Sequence, residues 1–374
     1  MNTIAALDLI NIFRLPNVNA DNRIDDYWTE QSTAPETLSK PHLNIEIIQG
    51  IEPLGAQFSV DTPKSVPEGV HEPLFGQVDP TQFELEQVGG DLVKVPLLQT
   101  YAILDAAKIP GLPELLIASG LEHRCLFQGG AYEELKDVAP WIVRLEESNN
   151  LTRNLFTRSG AGWHLWDDEP GIYLRSRGTL DEMWGHFRKF TRVQDEQGKW
   201  FYFRFWEPIL FQTLAEGDSQ CGVVNGSFFK GNSIVIVDPF LGCIVGITAH
   251  SLTVNTKPSR FGDGDFRLLK QFSRNLGNRK IASLLQGEEG KWSDFSGVSA
   301  KECLHKVTAA VEQAHAIGLK KPSHLKRFVK MCEEMGEVSF GTDPFCRTIS
   351  AGHTPARLIA ELEFDVKDLM KESA

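Results

Sequence analysis

The chain has 374 residues, of which 41% are apolar and 24% charged, and its formal net charge is −12. This is the composition of a soluble globular protein of two or three domains, long enough to bury a core without disulfides or metal. Residues 1–95 hold 15 Asp and Glu against 5 Lys and Arg, so most of the negative charge sits at the front. That balance argues against nucleic acid as the main partner, because phosphate binding needs a broad basic face.

In chain order, residues 1–95 read as an acidic extension punctuated by proline. Short strands are predicted over Asn44–Ile51 and Gln57–Val60, and a linker over 61–80. From Val95 the texture changes. Leu97–Ala107 is an apolar run suited to a buried strand, Ile109–Ser119 a helix closed by Gly120, and His123–Phe127 and Trp141–Leu145 further strands. Leu151–Arg158 reads as a helix capped by Asn149 or Asn150. Gly162–Trp166 and Ile172–Arg175 read as strands around a turn.

Thr179 and Glu182 form a capping box for a helix over Leu180–Phe190. A hairpin over Thr191–Gln194 and Lys199–Trp206 and a helix from Pro208 to Leu214 follow. Ser233–Val237 and Cys243–Thr248 are strands around a turn. From about residue 265 the spacing is helical, with Ser299 and Thr354 as caps.

The expected fold class is α/β (α+β): a mixed-sheet N-terminal lobe with flanking helices, then a smaller helical C-terminal lobe. The expected segments are an acidic extension (1–95), an α/β core (96–215), a β-rich connector (216–290) and a helical lobe (291–374).

Chemistry-bearing patterns are sparse. There is no GxxxxGK[ST] phosphate loop, no GxSxG elbow, no HExxH and no CxxC among the six cysteines. No catalytic residue, metal ligand or cofactor is assigned. No run reaches the roughly 20 apolar residues of a membrane span, and the N-terminus makes a poor signal peptide. A cytoplasmic protein with no membrane partner is expected.

Two features stand out. Asp105 ends an apolar strand, where a carboxylate must find donors: either the N-terminus of the following helix or a partner. The run Trp200 to Trp206 alternates, with Trp200, Tyr202, Arg204 and Trp206 on one face and Phe201, Phe203 and Phe205 on the other. The Arg204 face has the composition of a protein-binding hot spot, or of a core around a paired arginine. A basic stretch, Lys320, Lys321, Lys326, Arg327 and Lys330, offers a second contact or a solvated helix face.

The ordered series Tyr101-Ala-Ile-Leu-Asp105-Ala-Ala, Arg124-Cys-Leu-Phe127, Val138-Ala-Pro140-Trp141-Ile-Val-Arg-Leu145, His186-Phe-Arg188 and Phe203-Arg204-Phe205-Trp206-Glu207-Pro208 resembles the Tap or TEC adaptor-chaperones of bacterial type VI secretion. This family was first described as a domain of unknown function. The resemblance covers about 98–215. It implies a non-enzymatic cytoplasmic adaptor whose partners are a secreted effector protein and the VgrG spike protein, onto which it loads the effector. It also implies an α/β lobe followed by a more helical one.

Two positions depart from the family pattern: Glu207 replaces an Asp and Ile209 an Arg. The residues expected to bind protein are Asp105, Trp141, Trp163, Trp166, Trp184, Trp200, Arg204, Trp206 and Glu207. The alternatives are a hydrolase with a dispersed site and a toxin-neutralising immunity protein.

Overall fold

The computed structural model describes residues 43–57, 60–216, 223–224, 226–249, 260–287, 299–335 and 345–372. They divide into two compact units between Phe272 and Ser273, and this division falls within a helix, Asp263–Gly287.

The first unit is built on a seven-stranded sheet. Its strands are β1 (Leu43–Gln49), β2 (Gln99–Asp105), β3 (His123–Cys125), β4 (Pro140–Leu145), β5 (Gly171–Ser176), β8 (Ser233–Asp238) and β9 (Cys243–Ala249), in the order β1-β9-β8-β5-β2-β4-β3. Every adjacent pair is antiparallel. Among the described strands, parallel and antiparallel pairing mix only in a small second sheet, where β6 (Arg192–Asp195) lies between β7 (Trp200–Tyr202) and β10 (Arg260–Phe261).

β2 occupies the middle of the large sheet, and six of its seven residues are buried. A strand covered on both faces loses the apolar–polar alternation of a half-exposed one, which is why this stretch reads as a continuous apolar run. On one face Ala102, Leu104, Val143, Tyr173 and Val235 join a core with Val70, Leu74, Leu112, Leu116, Leu151 and Leu155. Those last six come from the helices Glu68–Phe75, Leu112–Ser119 and Asn150–Leu155. On the other face Tyr101, Ile103, Ile142, Ile172 and Leu174 are also buried. There the helices Leu180–Phe187 and Pro208–Glu216 contact β4 and β8. Beyond them Phe187, Phe203, Phe205, Phe211, Phe228 and Phe261 stack edge to face or offset, with centroids 5.1–6.1 Å apart.

The second unit is helical, with Ala300–Ala316, Pro322–Met335, Phe345–Ser350 and Pro355–Glu372. Leu358, Ile359 and Leu362 are buried as their spacing predicts. Arg327 of the predicted basic stretch donates two 2.6 Å hydrogen bonds to Glu363 of the last helix, so it links helices within this unit.

The α/β (α+β) class therefore holds, and two local expectations change. The expected linker 61–80 contains the helix Glu68–Phe75, whose Val70 and Leu74 are fully buried. Pro67 and Pro73 suggested a break, but Pro67 lies at the N-cap and Pro73 in the final turn. Gly162–Trp166 is not a strand; β5 instead pairs with β2 and β8, distant in sequence. Part of the expected strand Gln57–Val60 lies outside the described residues.

Candidate functional site

Asp105 is 1% exposed at the end of β2. One carboxylate oxygen accepts from the Ala107 backbone N–H at 2.9 Å and the other from the Arg204 guanidinium. Thus the acid is held both by the backbone that follows, as one of its two readings expected, and by an arginine 99 residues away. Three residues on, Lys108 Nζ donates to Glu207 Oε1 at 2.9 Å and to the Glu169 carbonyl at 3.0 Å. The Glu207 N–H closes a turn onto the Arg204 carbonyl at 3.0 Å.

Two crossed ion pairs therefore join the end of β2 to the 204–207 turn, and both are largely shielded from solvent. At the departing position 207, the longer Glu side chain reaches Lys108. Ile209, at the other departing position, is buried. Nearby, burial and then the neighbouring Asp167 raise the Asp168 carboxyl above its ordinary range, against the pull of Lys108.

The tryptophans separate into different environments. Trp141 is buried and donates to the Lys136 carbonyl at 3.1 Å. Trp166 and Trp206 are 1% and 2% exposed, and neither Nε1 finds a hydrogen-bond partner. Of the two readings of Trp200 to Trp206, the hot-spot face does not form, because β7 ends at Tyr202 and the chain turns, and Arg204 is instead the paired arginine of the other reading. Phe203, Phe205 and Trp206 all enter the core. These buried indoles fill the interior rather than present a surface.

Trp163 is 56% exposed on the loop 159–165. Ser159 Oγ meets His164 Nδ1 at 2.5 Å and accepts from the Ala161 N–H at 3.0 Å. The loop is thus tied behind the exposed indole.

Trp184 lies at the outer end of the sheet. The capping box of its helix forms as predicted, with Thr179 accepting from the Glu182 N–H and Glu182 from the Thr179 N–H. The Trp184 Nε1–H donates to the Cys125 carbonyl of β3 at 2.7 Å. Two guanidiniums cover its ring: Arg124 at 3.4 Å and Arg188 at 4.8 Å from the centroid. Arg124 also donates to Asp181 at 2.9 Å. Trp200 is half-buried, with the Arg192 guanidinium 4.9 Å from its centroid.

Beside Asp181 opens a cleft of about 530 Å³, lined by Leu97, Tyr101, Glu122, Arg144, Arg177 and Asp181 among others. Its one lining tyrosine is Tyr101, whose hydroxyl donates to the Gly178 carbonyl at 2.7 Å and whose pKa is pushed up to about 12 by burial. Arg177 braces the rim by donating to Glu84 and to the carbonyls of Val78 and Pro96.

Sequence reasoning singled out neither this cleft nor Arg124 and Arg188 as site residues. Both arginines lay within the ordered motif series, which was the available signal. Among the described residues no cluster of His, Cys, Asp and Glu could hold a metal ion, and no helix is long and apolar enough to cross a membrane.

The segments that build this geometry are those of the ordered motif series, and one comparison with known families finds the same span. Residues 100–220 match the model of DUF4123, a domain of unknown function. The DUF4123 match covers roughly a third of the chain, and this domain is associated with type VI secretion adaptors. It begins at Thr100 in β2 and takes in β3 to β7, the crossed ion pairs and the Arg–Trp contacts. No curated protein matches the chain. No solved structure matches it either.

Proposed function

We propose that this protein is a cytoplasmic adaptor that binds a secreted effector and brings it to the VgrG spike of a type VI secretion system, with no catalytic step of its own. The carrying observation is the DUF4123 match at 100–220. The motif residues in that span, far apart in sequence, meet in two places. Asp105 and Arg204 meet inside, fixing the shape of the domain. Arg124 and Arg188 meet on one indole at the edge of the sheet, where a partner can reach them. Arginine and aromatic groups on a rigid frame are the usual centre of a protein interface.

Co-expression with candidate effector and VgrG proteins, followed by affinity capture of this chain, tests the reading. Recovery of a three-part complex with an effector that stays active is the expected result. An effector silenced by binding would point instead to an immunity protein, and recovery of neither partner would sink the proposal.

One observation favours a hydrolase as a second reading: the Ser159–His164 contact at 2.5 Å. A fluorophosphonate probe labels an activated serine. Labelling that disappears in Ser159→Ala would support catalysis there, whereas the adaptor reading expects none.

A further inference from the structure

We propose that the cationic groups around Trp184 and Trp200, namely Arg124, Arg188, Lys189, Arg192 and Lys230, form the docking surface for an acidic segment of a partner protein. This deepens the adaptor reading and rests on it only in taking the partner to be a protein.

Three separate stretches of the chain supply these groups to one region. Arg124 comes from β3 and Arg188 follows the helix Leu180–Phe187; both lie over Trp184. Arg192 opens β6 and lies over Trp200 of β7. The two sheets meet here, because Phe127, just past β3, contacts Tyr202 of β7 at 5.3 Å. Lys230 follows the short helix Gly226–Phe229, whose Phe228 carbonyl accepts from His186 Nε2–H at 2.7 Å. His186 feels the charges of both Lys230 and Lys189.

Arg188, Lys189, Arg192 and Lys230 are exposed, and among the described residues none has a carboxylate within 4.0 Å. The nearby acids are already engaged: Asp181 by Arg124, and Glu182 chiefly by its own cap and more weakly by the charge of Lys230. In a chain of net charge −12, three cations without a nearby acid, Arg188, Lys189 and Arg192, beside a fourth, Lys230, that acts on Glu182, are a local excess. It opposes the charge of the rest of the molecule.

The geometry also selects the ligand. A guanidinium held over an indole, as those of Arg188 and Arg192 are, is restrained by the ring and can still take a carboxylate through paired hydrogen bonds. Side chains pre-ordered in this way lose less entropy on binding than free ones. The same stacking disfavours single-stranded nucleic acid, which binds by stacking its bases on open aromatic faces. Here arginines lie over both rings.

The test is fluorescence anisotropy of the full chain with three labelled probes: a ten-residue glutamate peptide, a ten-residue lysine peptide and oligothymidylate. Binding of the glutamate peptide alone is expected, weakening as salt rises. The double variant Arg188→Glu/Arg192→Glu should lose at least about tenfold in affinity, and Arg357→Glu, an exposed arginine elsewhere, should not.

Absent glutamate-peptide binding, equal binding by the double variant, or displacement of the peptide by oligothymidylate would each overturn the proposal. Should the charge reversals disturb the circular dichroism spectrum, Arg188→Gln/Arg192→Gln gives the same reading without reversal. Failure here with effector capture intact would reject this surface and leave the adaptor reading standing. Peptide binding without effector capture would do the reverse.

Discussion

Single side chains decide how the tryptophans divide. Trp206 and Trp184 are both buried, yet only Trp184 uses its indole N–H, on the Cys125 carbonyl. Trp184→Phe leaves that carbonyl without its donor, while Trp206→Phe removes a donor that has no acceptor. Chemical denaturation should therefore show Trp184→Phe to be less stable than Trp206→Phe by about 1–3 kcal/mol. His186 carries a second prediction. Burial lowers its pKa to about 4 from an ordinary 6.5, and the positive charges of Lys230 and Lys189 add to this against the hydrogen bond to Phe228. Between those values the unfolded chain binds the proton and the folded one does not. Stability is thus unaffected above about pH 6.5 and falls as pH drops towards 4, by at most about 3 kcal/mol from this group. His186→Gln keeps a donor for the Phe228 carbonyl and should flatten that part of the pH–stability curve. A variant as steep as wild type would contradict the assignment. None of this was legible in the sequence, because composition identifies an aromatic or a histidine but not which of its polar atoms finds a partner.

Among the elements, β2 bears the most constraint. Asp105 ends it inside the protein, and removing one member of a buried ion pair strands the other. Asp105→Ala should cost about 3–5 kcal/mol by chemical denaturation. Lys108→Ala, at the less deeply buried pair, should cost about 1–3 kcal/mol by leaving Glu207 without its donor. Similar losses in both variants would show that the two pairs act as one network. β5 packs against β2 so closely that a Cβ on Gly171 would overlap the Ile103 carbonyl oxygen, which is backbone and cannot move aside. Gly171→Ala is therefore expected to lower the melting temperature and to cost about 3 kcal/mol. Strands such as β2, β4, β8 and β9 were legible because each is a short apolar run bounded by turn residues. The helix Glu68–Phe75 was not, since its two prolines read as breaks wherever their position in the helix is unknown.

For the whole first unit, the sheet draws together segments that the sequence places in three different parts of the chain. β1 belongs to the acidic extension, β2 to β5 to the expected core, and β8 and β9 to the expected connector. A fragment spanning 96–215 keeps the motif series but loses β1, β8 and β9. Without β8, the Tyr173–Arg175 edge of β5 has no neighbour. Far-UV circular dichroism should show the 96–215 fragment unfolded or aggregated and a 43–272 fragment native-like. A cooperative melt from the shorter piece would mean that the motif region folds without the flanking strands.

The sequence by itself determined the α/β (α+β) class, most strands and helix caps, and the ordered motifs that the DUF4123 match overlaps. These are local properties, set by periodicity, turn chemistry and capping within a few residues. Only the tertiary structure decided that Asp105 meets Arg204, that Arg124 and Arg188 share one indole, and that Trp141, Trp166 and Trp206 lie inside while Trp163 lies outside. Each of these depends on strand order and on where the chain turns after Tyr202. Residues separated by scores of positions come together there through the packing of a whole sheet, which no local pattern encodes.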